Sequence, residues 1–108
     1  KIGVAGNIGY SFAKRVAEEE NDYYALEVSS FQLDYCDTFA PDISILINIT
    51  PDHLDRYDYK MENYINSKFR IADNQTRIQS FIYNANDENI HHCYRIHPIQ
   101  LFCFQQKF

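Results

Sequence analysis

The chain has 108 residues, a formal net charge of −5, and 45% hydrophobic and 23% charged residues. This length suits one domain, and the near-average globular composition argues against intrinsic disorder. The acidic balance disfavours a nucleic-acid-coating protein, because such domains are normally basic. No apolar run approaches the roughly 18 residues that a membrane helix needs. Three cysteines are too few for a disulfide framework, so we expect a reducing, cytoplasmic compartment and no membrane partner.

Short apolar runs alternate with polar, helix-like segments along the chain. Strands are predicted at Ile2–Ala5, Tyr23–Val28, Ile43–Ile49, Phe81–Asn84 and Leu101–Phe104. The third run has the strongest signal, and its isoleucines predict a strand that is buried on both faces, as in parallel sheets. Phe31–Tyr35 is interpreted as a short strand or a loop.

Helical spacing of apolar residues predicts helices over Ser11–Glu20 and Lys60–Asp73. The stretch 86–100 gives no clear prediction. Alternating strands and helices predict an α/β fold with a mostly parallel sheet and flanking helices. Ligands bind such sheets at the carboxyl ends of their strands. We therefore expect Gly6–Gly9, Glu27–Gln32 and Asn48–Arg56 to converge on one edge.

Glu27 lies inside an apolar run that ends in Ser29 and Ser30. A carboxylate at such a place is costly to bury unless it is solvated, paired or bound to a metal. One interpretation is an acid that points to solvent. The other is a ligand for a hard cation and phosphates, which the neighbouring serines and Gln32 favour.

A polar cluster follows the strongest strand and contains Asp52, His53, Asp55 and Arg56. His53 is a candidate metal ligand, acid–base group or phosphate contact, or else a structural loop residue. By composition alone the two aspartates suit helix caps or turns.

Lys68 lies on the apolar face of the second predicted helix. It is either a lysine whose stem is buried and whose ammonium reaches water, or a reactive amine. A zinc site formed by His91, His92, Cys93, His97 and Cys103 is disfavoured, because the spacing fits no known zinc pattern. Gly6–Gly9 by itself is a plain turn, and the chain contains no Gly-x-x-x-x-Gly-Lys-Ser/Thr phosphate loop.

Taken in order, these segments resemble the central, ATP-binding domain of the Mur ligase family. Three segments carry the resemblance: Gly6–Gly9, Glu27–Leu33 and Asn48–Tyr57. Tyr64, Lys68, Asn74 and Gln75 complete the pattern, and the Asn84–Asp87 turn departs from it at Asn86. The match covers about residues 2–87, so that residues 88–108 of the partial domain 1–108 match poorly. Its first two segments favour the branch of the family that adds D-glutamate.

The resemblance implies an ATP-dependent ligase of peptidoglycan synthesis that joins D-glutamate to UDP-N-acetylmuramoyl-L-alanine through an acyl phosphate. It implies that Glu27 ligates a Mg²⁺ ion that bridges the ATP phosphates. It also implies that His53 and a carbamylated Lys68 hold a second Mg²⁺ near the reacting carboxylate. It also implies substrate contacts by Asn7, Ser29 and Gln32, and a place for Asp52 near the entering amine.

In this family, the phosphate loop and two flanking domains lie outside a segment like this one. We therefore expect the chain alone to be inactive, and its incomplete sheet to favour self-association. Three alternatives stay open. They are a sister Mur ligase or a folylpolyglutamate synthase relative, a non-catalytic α/β binding module without metal dependence, and the zinc site.

Overall fold

The computed structural model describes residues 1–94 and 101–104, with backbone only at residues 92, 94 and 101–104. The strands are β1 (Ile2–Gly6), β2 (Tyr23–Glu27), β3 (Ile43–Leu46), β4 (Ser80–Asn84) and β5 (Leu101–Phe104). The helices are α1 (Phe12–Glu18), α2 (Ser30–Leu33), α3 (Met61–Phe69) and α4 (Glu88–Tyr94). Two 3₁₀ turns span Leu54–Tyr57 and Arg70–Ala72.

All described strand pairs are parallel, which confirms the predicted α/β class. Hydrogen bonds divide the strands into two sheets, β1-β2 and β3-β4-β5. Gly6 pairs with Glu27 at the carboxyl ends of the first sheet, and Leu46 pairs with Tyr83 in the second. The polar segments singled out in the sequence therefore begin where β1, β2 and β3 end.

The prediction that the Ile43–Ile49 strand is buried on both faces was wrong. The regular strand ends at Leu46, and its side chains alternate between exposed and buried positions. Ser44 and Leu46 are buried, whereas Ile43, Ile45 and Ile47 are more than half exposed. The run of isoleucines reflects β propensity, and in the described part of the chain only one face of β3 is covered.

The core lies between α3 and the second sheet. It is formed by Leu46, Ile49, Tyr57, Tyr64, Ile65, Phe69, Ala72, Phe81, Tyr83 and Ile90. The helix contributes Tyr64, Ile65 and Phe69 from one stripe, as its apolar spacing predicts. Helix α1 buries none of its residues, so it adds nothing to this core.

The structure corrects several predicted boundaries. The segment predicted as a strand or loop at Phe31–Tyr35 begins inside α2, which starts at a complete capping box. The Lys60–Asp73 helix divides into α3 and a 3₁₀ turn. Residues 88–94, within the stretch that gave no prediction, form α4. No helix within 1–94 and 101–104 is long and apolar enough to cross a lipid bilayer.

Candidate active site

The Gly6–Gly9 turn closes over the end of β2. The amide of Asn7 donates to the carbonyl oxygen of Glu27 at 2.7 Å, and the amide of Ile8 donates to the Glu27 carboxylate at 3.1 Å. Gly6 has a φ of 133°, and a Cβ there would lie 2.1 Å from the Glu27 carbonyl oxygen. Only glycine permits this approach. The turn thus holds Glu27 at the strand end, while the side chain of Asn7 stays exposed.

Ser29 and Gln32 form the capping box of α2. The Ser29 hydroxyl accepts from the Gln32 amide at 3.3 Å, and the Gln32 side-chain oxygen accepts from the Ser29 amide at 2.9 Å. This reciprocal pairing satisfies backbone donors that a helix start leaves unpaired. The two predicted substrate-contact residues are therefore adjacent, and each already orients the other.

The polar loop after β3 is held at its base by α4. The Asp87 carboxylate accepts from the amide of Ile49 and from the amide of Ile90, both at 3.0 Å. Asn89 donates its side-chain amide to the Ile49 carbonyl at 2.7 Å. Asp87 is thus the cap of α4 and also an anchor of the loop that carries His53, a role that its position in the sequence did not reveal.

His53 occupies a strained position at the start of the first 3₁₀ turn. Its backbone is left-handed, with φ 49° and ψ 30°, a conformation that a non-glycine residue adopts at a cost of roughly 1 kcal/mol or more. Asp52 accepts from the His53 amide at 2.9 Å, and its carboxylate lies 3.4 Å from Nε2. Asp52 and His53 therefore act as a pair, and both side chains are more than half exposed.

Phe31, which the sequence did not single out, joins the two polar segments. Its ring meets the His53 ring edge-to-face with centroids 5.1 Å apart. The Arg56 guanidinium lies 4.6 Å above the same ring, and Tyr57 stacks on it at 6.1 Å. Of the segments expected to converge, Glu27–Gln32 thus contacts both the Gly6–Gly9 turn and the Asn48–Arg56 loop.

Lys68 lies in the last turn of α3 and is half-buried. Its Nζ lies 5.1 Å over the ring of Tyr64, one turn earlier. This is the geometry expected of a lysine whose stem packs on the helix while its amine stays accessible. The Lys68 amine therefore lies at the surface of α3, the helix that packs against α2.

A second polar cluster, also missed in the sequence, joins α2, the first 3₁₀ turn and α3. It consists of Asp34, Tyr57 and Ser67, which are linked by hydrogen bonds. Burial raises the pKa of the Tyr57 hydroxyl above its ordinary value of 10.0, so the hydroxyl keeps its proton and stays a donor at neutral pH. These three residues line a cavity of about 530 Å³ whose wall includes none of the predicted site residues.

Among the described side chains, no group of three or more His, Cys, Asp or Glu residues is placed to hold a metal. Of the zinc candidates, His91 is exposed and Cys93 is half-buried. Burial, together with the charge of Glu62, raises the pKa of the Cys93 thiol. His97 and the side chains of His92 and Cys103 lie outside the described residues.

Comparison with known proteins decides the family. The family model of the Mur ligase middle domain matches residues 6–101. The chain belongs to the Mur ligase family. The predicted resemblance is thereby confirmed, and the matched range includes residues past 90, for which the sequence motifs gave no match.

Three relatives of this Mur ligase domain are each named UDP-N-acetylmuramoylalanine--D-glutamate ligase. The protein of Christiangramia forsetii is 67% identical over 88 residues, which are 82% of this chain and 20% of the relative. That of Bacteroides fragilis is 60% identical over 86 residues, covering 80% and 19%. That of Cytophaga hutchinsonii is 50% identical over 98 residues, covering 91% and 22%. The chain thus spans about a fifth of the length of the curated relatives that it matches.

Proposed function

We propose that this domain is part of an ATP-dependent ligase that adds D-glutamate to UDP-N-acetylmuramoyl-L-alanine in peptidoglycan synthesis. The observation that carries the proposal is the 67% identity to a D-glutamate ligase across 82% of the chain. The contacts of Phe31 with the His53 loop support it, because they join segments that carry the family's motifs. The reaction would take place in the cytoplasm, where ATP is available.

The proposed reaction has two steps. The carboxylate of the substrate attacks the γ-phosphorus of ATP, the bond to ADP breaks, and an acyl phosphate forms. The amine of D-glutamate then attacks the acyl carbon, loses a proton and expels inorganic phosphate. Asn7, Ser29 and Gln32 would contact the nucleotide-sugar, and Asp52 would lie near the entering amine. All four residues lie in segments that follow the carboxyl ends of β1, β2 or β3, which supports these roles.

Glu27, His53 and Lys68 are the residues that would hold Mg²⁺. Glu27 suits a hard cation, because it is an exposed carboxylate fixed at one oxygen by the Ile8 amide. The neutral amine of Lys68 would first add carbon dioxide and release a proton, which gives an anionic carbamate. When bound, the metal would neutralise charge on the transferring phosphoryl group. The side chains of Glu27, His53 and Lys68 would hold the reacting carboxylate in one orientation and exclude others.

The test measures phosphate release by the complete gene product with ATP, UDP-N-acetylmuramoyl-L-alanine and a panel of amino acids. We expect release that depends on D-glutamate and falls at least 100-fold in Lys68→Ala and His53→Ala. The exposed Lys60→Ala serves as the matched control. Release with another amino acid would instead indicate a sister ligase, and glutamate addition to a folate would indicate a folylpolyglutamate synthase relative. If no amino acid leads to phosphate release, and the protein binds a partner without needing a metal, a non-catalytic binding module would be favoured.

We further propose that the 108-residue chain alone is inactive and self-associates. Support comes from exposed apolar side chains on the strands of both sheets, among them Ile2, Val4, Ile43 and Ile45. Apolar strand surfaces and open sheet edges favour pairing with another copy. ATP turnover by the isolated chain, or a clean monomer in light scattering, would contradict the respective part of this proposal.

A further inference from the structure

The carboxylate of Asp34 binds hydroxyl groups from two other elements at once. The Tyr57 hydroxyl donates to one of its oxygens at 2.9 Å, and the Ser67 hydroxyl donates to the other at 2.5 Å. The two hydroxyls are also 3.1 Å apart. Asp34 ends α2, Tyr57 ends the first 3₁₀ turn, and Ser67 lies in α3, so one carboxylate joins three elements that are distant in sequence.

The two hydroxyl-bearing residues of this cluster are shielded from water, whereas Asp34 itself is exposed. Ser67 is 4% exposed and Tyr57 is 8% exposed. The Ser67 hydroxyl also lies 3.1 Å from the Ser30 carbonyl in the first turn of α2. Hydrogen bonds to a charged group are stronger than those between neutral groups, and a buried hydroxyl without a partner is costly. The cluster therefore favours one packing of the three elements over others.

Arg70 adds two hydrogen bonds to the same junction. Its Nε donates to the Leu33 carbonyl at 2.9 Å, and its Nη2 donates to the Cys36 carbonyl at 3.1 Å. A cationic side chain that binds the last carbonyls of a helix stabilises that end. Both ends of the short α2 are thus tied to α3 and to the turn that follows it.

The three elements joined by Asp34 carry or directly follow four of the proposed active-site residues, which are Ser29, Gln32, His53 and Lys68. Ser29 and Gln32 are at the start and in the first turn of α2, His53 begins the 3₁₀ turn that Tyr57 ends, and Lys68 directly follows Ser67. A shift between α2 and α3 would move the substrate-contact residues relative to the metal-side residues. The cluster itself lines a cavity whose wall includes none of these four residues.

We propose that Asp34, Tyr57 and Ser67 are positioning residues, which set the distance between the nucleotide-sugar contacts on α2 and the His53 and Lys68 side of the site. This inference rests on the proposed function. Misplacement by about 1 Å can lower catalytic rates roughly 100-fold, so the cluster acts on kcat more than on substrate affinity.

The test compares Ser67→Ala and Tyr57→Phe with Ser44→Ala in the complete gene product. Ser44 is the matched control, because it is 2% exposed and its hydroxyl donates to the Gln75 side chain at 2.7 Å, away from the site. We expect Ser67→Ala and Tyr57→Phe to lower kcat per folded molecule about 10- to 100-fold, with KM for the nucleotide-sugar changed less than threefold. Ser44→Ala should lower the melting temperature to a similar extent and keep its kcat.

Hydrogen exchange gives a readout that does not depend on activity. The amides of Leu33 and Asp34 should exchange faster in Ser67→Ala and at the wild-type rate in Ser44→Ala. Unchanged exchange of α2, or an active protein whose Ser67→Ala variant keeps its kcat, would overturn the inference. An inactive wild-type protein whose α2 amides still respond selectively would count against the proposed function and would support the anchoring of α2.

Discussion

The rings of Phe31 and His53 meet edge-to-face with their centroids 5.1 Å apart. Phe31 lies in α2 and His53 begins the 3₁₀ turn after β3, so this contact joins the polar segments that follow two different sheets. The Arg56 guanidinium covers the same phenyl ring at 4.6 Å. One apolar side chain thus positions a histidine and an arginine that would otherwise be held only by an exposed loop.

Replacing Phe31 by leucine keeps a half-buried apolar group and removes the aromatic contacts. Edge-to-face pairs are worth roughly 0.5–1.5 kcal/mol, so we expect kcat to fall about two- to tenfold, with little change in melting temperature. Steady-state kinetics of the complete gene product measure this. Tyr35→Leu is the control, because Tyr35 follows α2 but is 89% exposed. Equal effects of the two substitutions would contradict a positioning role for Phe31.

Gly6→Ala is expected to destabilise the domain more than Gly9→Ala. Both glycines have positive φ, at 133° and 88°, so each substitution introduces backbone strain of about 1 kcal/mol. Only at Gly6 would the added Cβ also meet the Glu27 backbone, whereas nothing lies within 4 Å at Gly9. Thermal denaturation should show a difference of several degrees. Similar melting temperatures of the two variants would show that β1 and β2 can move apart to admit the added Cβ without loss of stability.

Asp87→Ala should lower stability by about 1–2 kcal/mol, because it removes a helix cap and leaves the Ile49 amide without its acceptor. Chemical denaturation measures the loss. The neighbouring Glu88→Ala, an exposed position in the first turn of α4, should change stability by less than about 0.5 kcal/mol. A loss no larger than that of the control would rule out Asp87 as the anchor of the loop.

The structure predicts a loss of stability at alkaline pH that depends on Tyr57. Burial raises the pKa of its hydroxyl above 10.0, the ordinary value that applies in the unfolded chain. Above pH 10 the unfolded state releases this proton more readily than the folded state, so stability falls as pH rises. We expect the decline in melting temperature between pH 9 and pH 11 to be smaller in Tyr57→Phe. Parallel declines in the two proteins would contradict this.

The strands and the long helix were predictable because their signals are local. The periodicity of Tyr64, Ile65 and Phe69 specifies α3, and the apolar run at Ile2–Ala5 specifies β1. Helix α2 was not predicted, although Ser29 and Gln32 have the spacing of a capping box; the segment Phe31–Tyr35 was interpreted as a short strand or a loop. The capping-box spacing of Ser29 and Gln32 could have identified the helix.

The contacts that assemble the site could not be predicted, because they depend on which elements pack together. Nothing local indicates that Phe31 touches His53, or that Asp34 binds the hydroxyls of Tyr57 and Ser67. The exposed face of β3 could not be predicted for the same reason. A run of isoleucines indicates strand propensity, but it does not indicate which element covers each face of the strand. The family motifs suggested the candidate reactive residues but not the residues that contact them.

In the proposed function, the complete gene product joins D-glutamate to UDP-N-acetylmuramoyl-L-alanine through an acyl phosphate. The most direct test labels the substrate carboxylate with ¹⁸O and follows the label by mass spectrometry during turnover with ATP. We expect one ¹⁸O to appear in inorganic phosphate for each amide bond formed, and only when D-glutamate is present. Amide formation with unlabelled phosphate, or labelled phosphate with a different amino acid only, would contradict it.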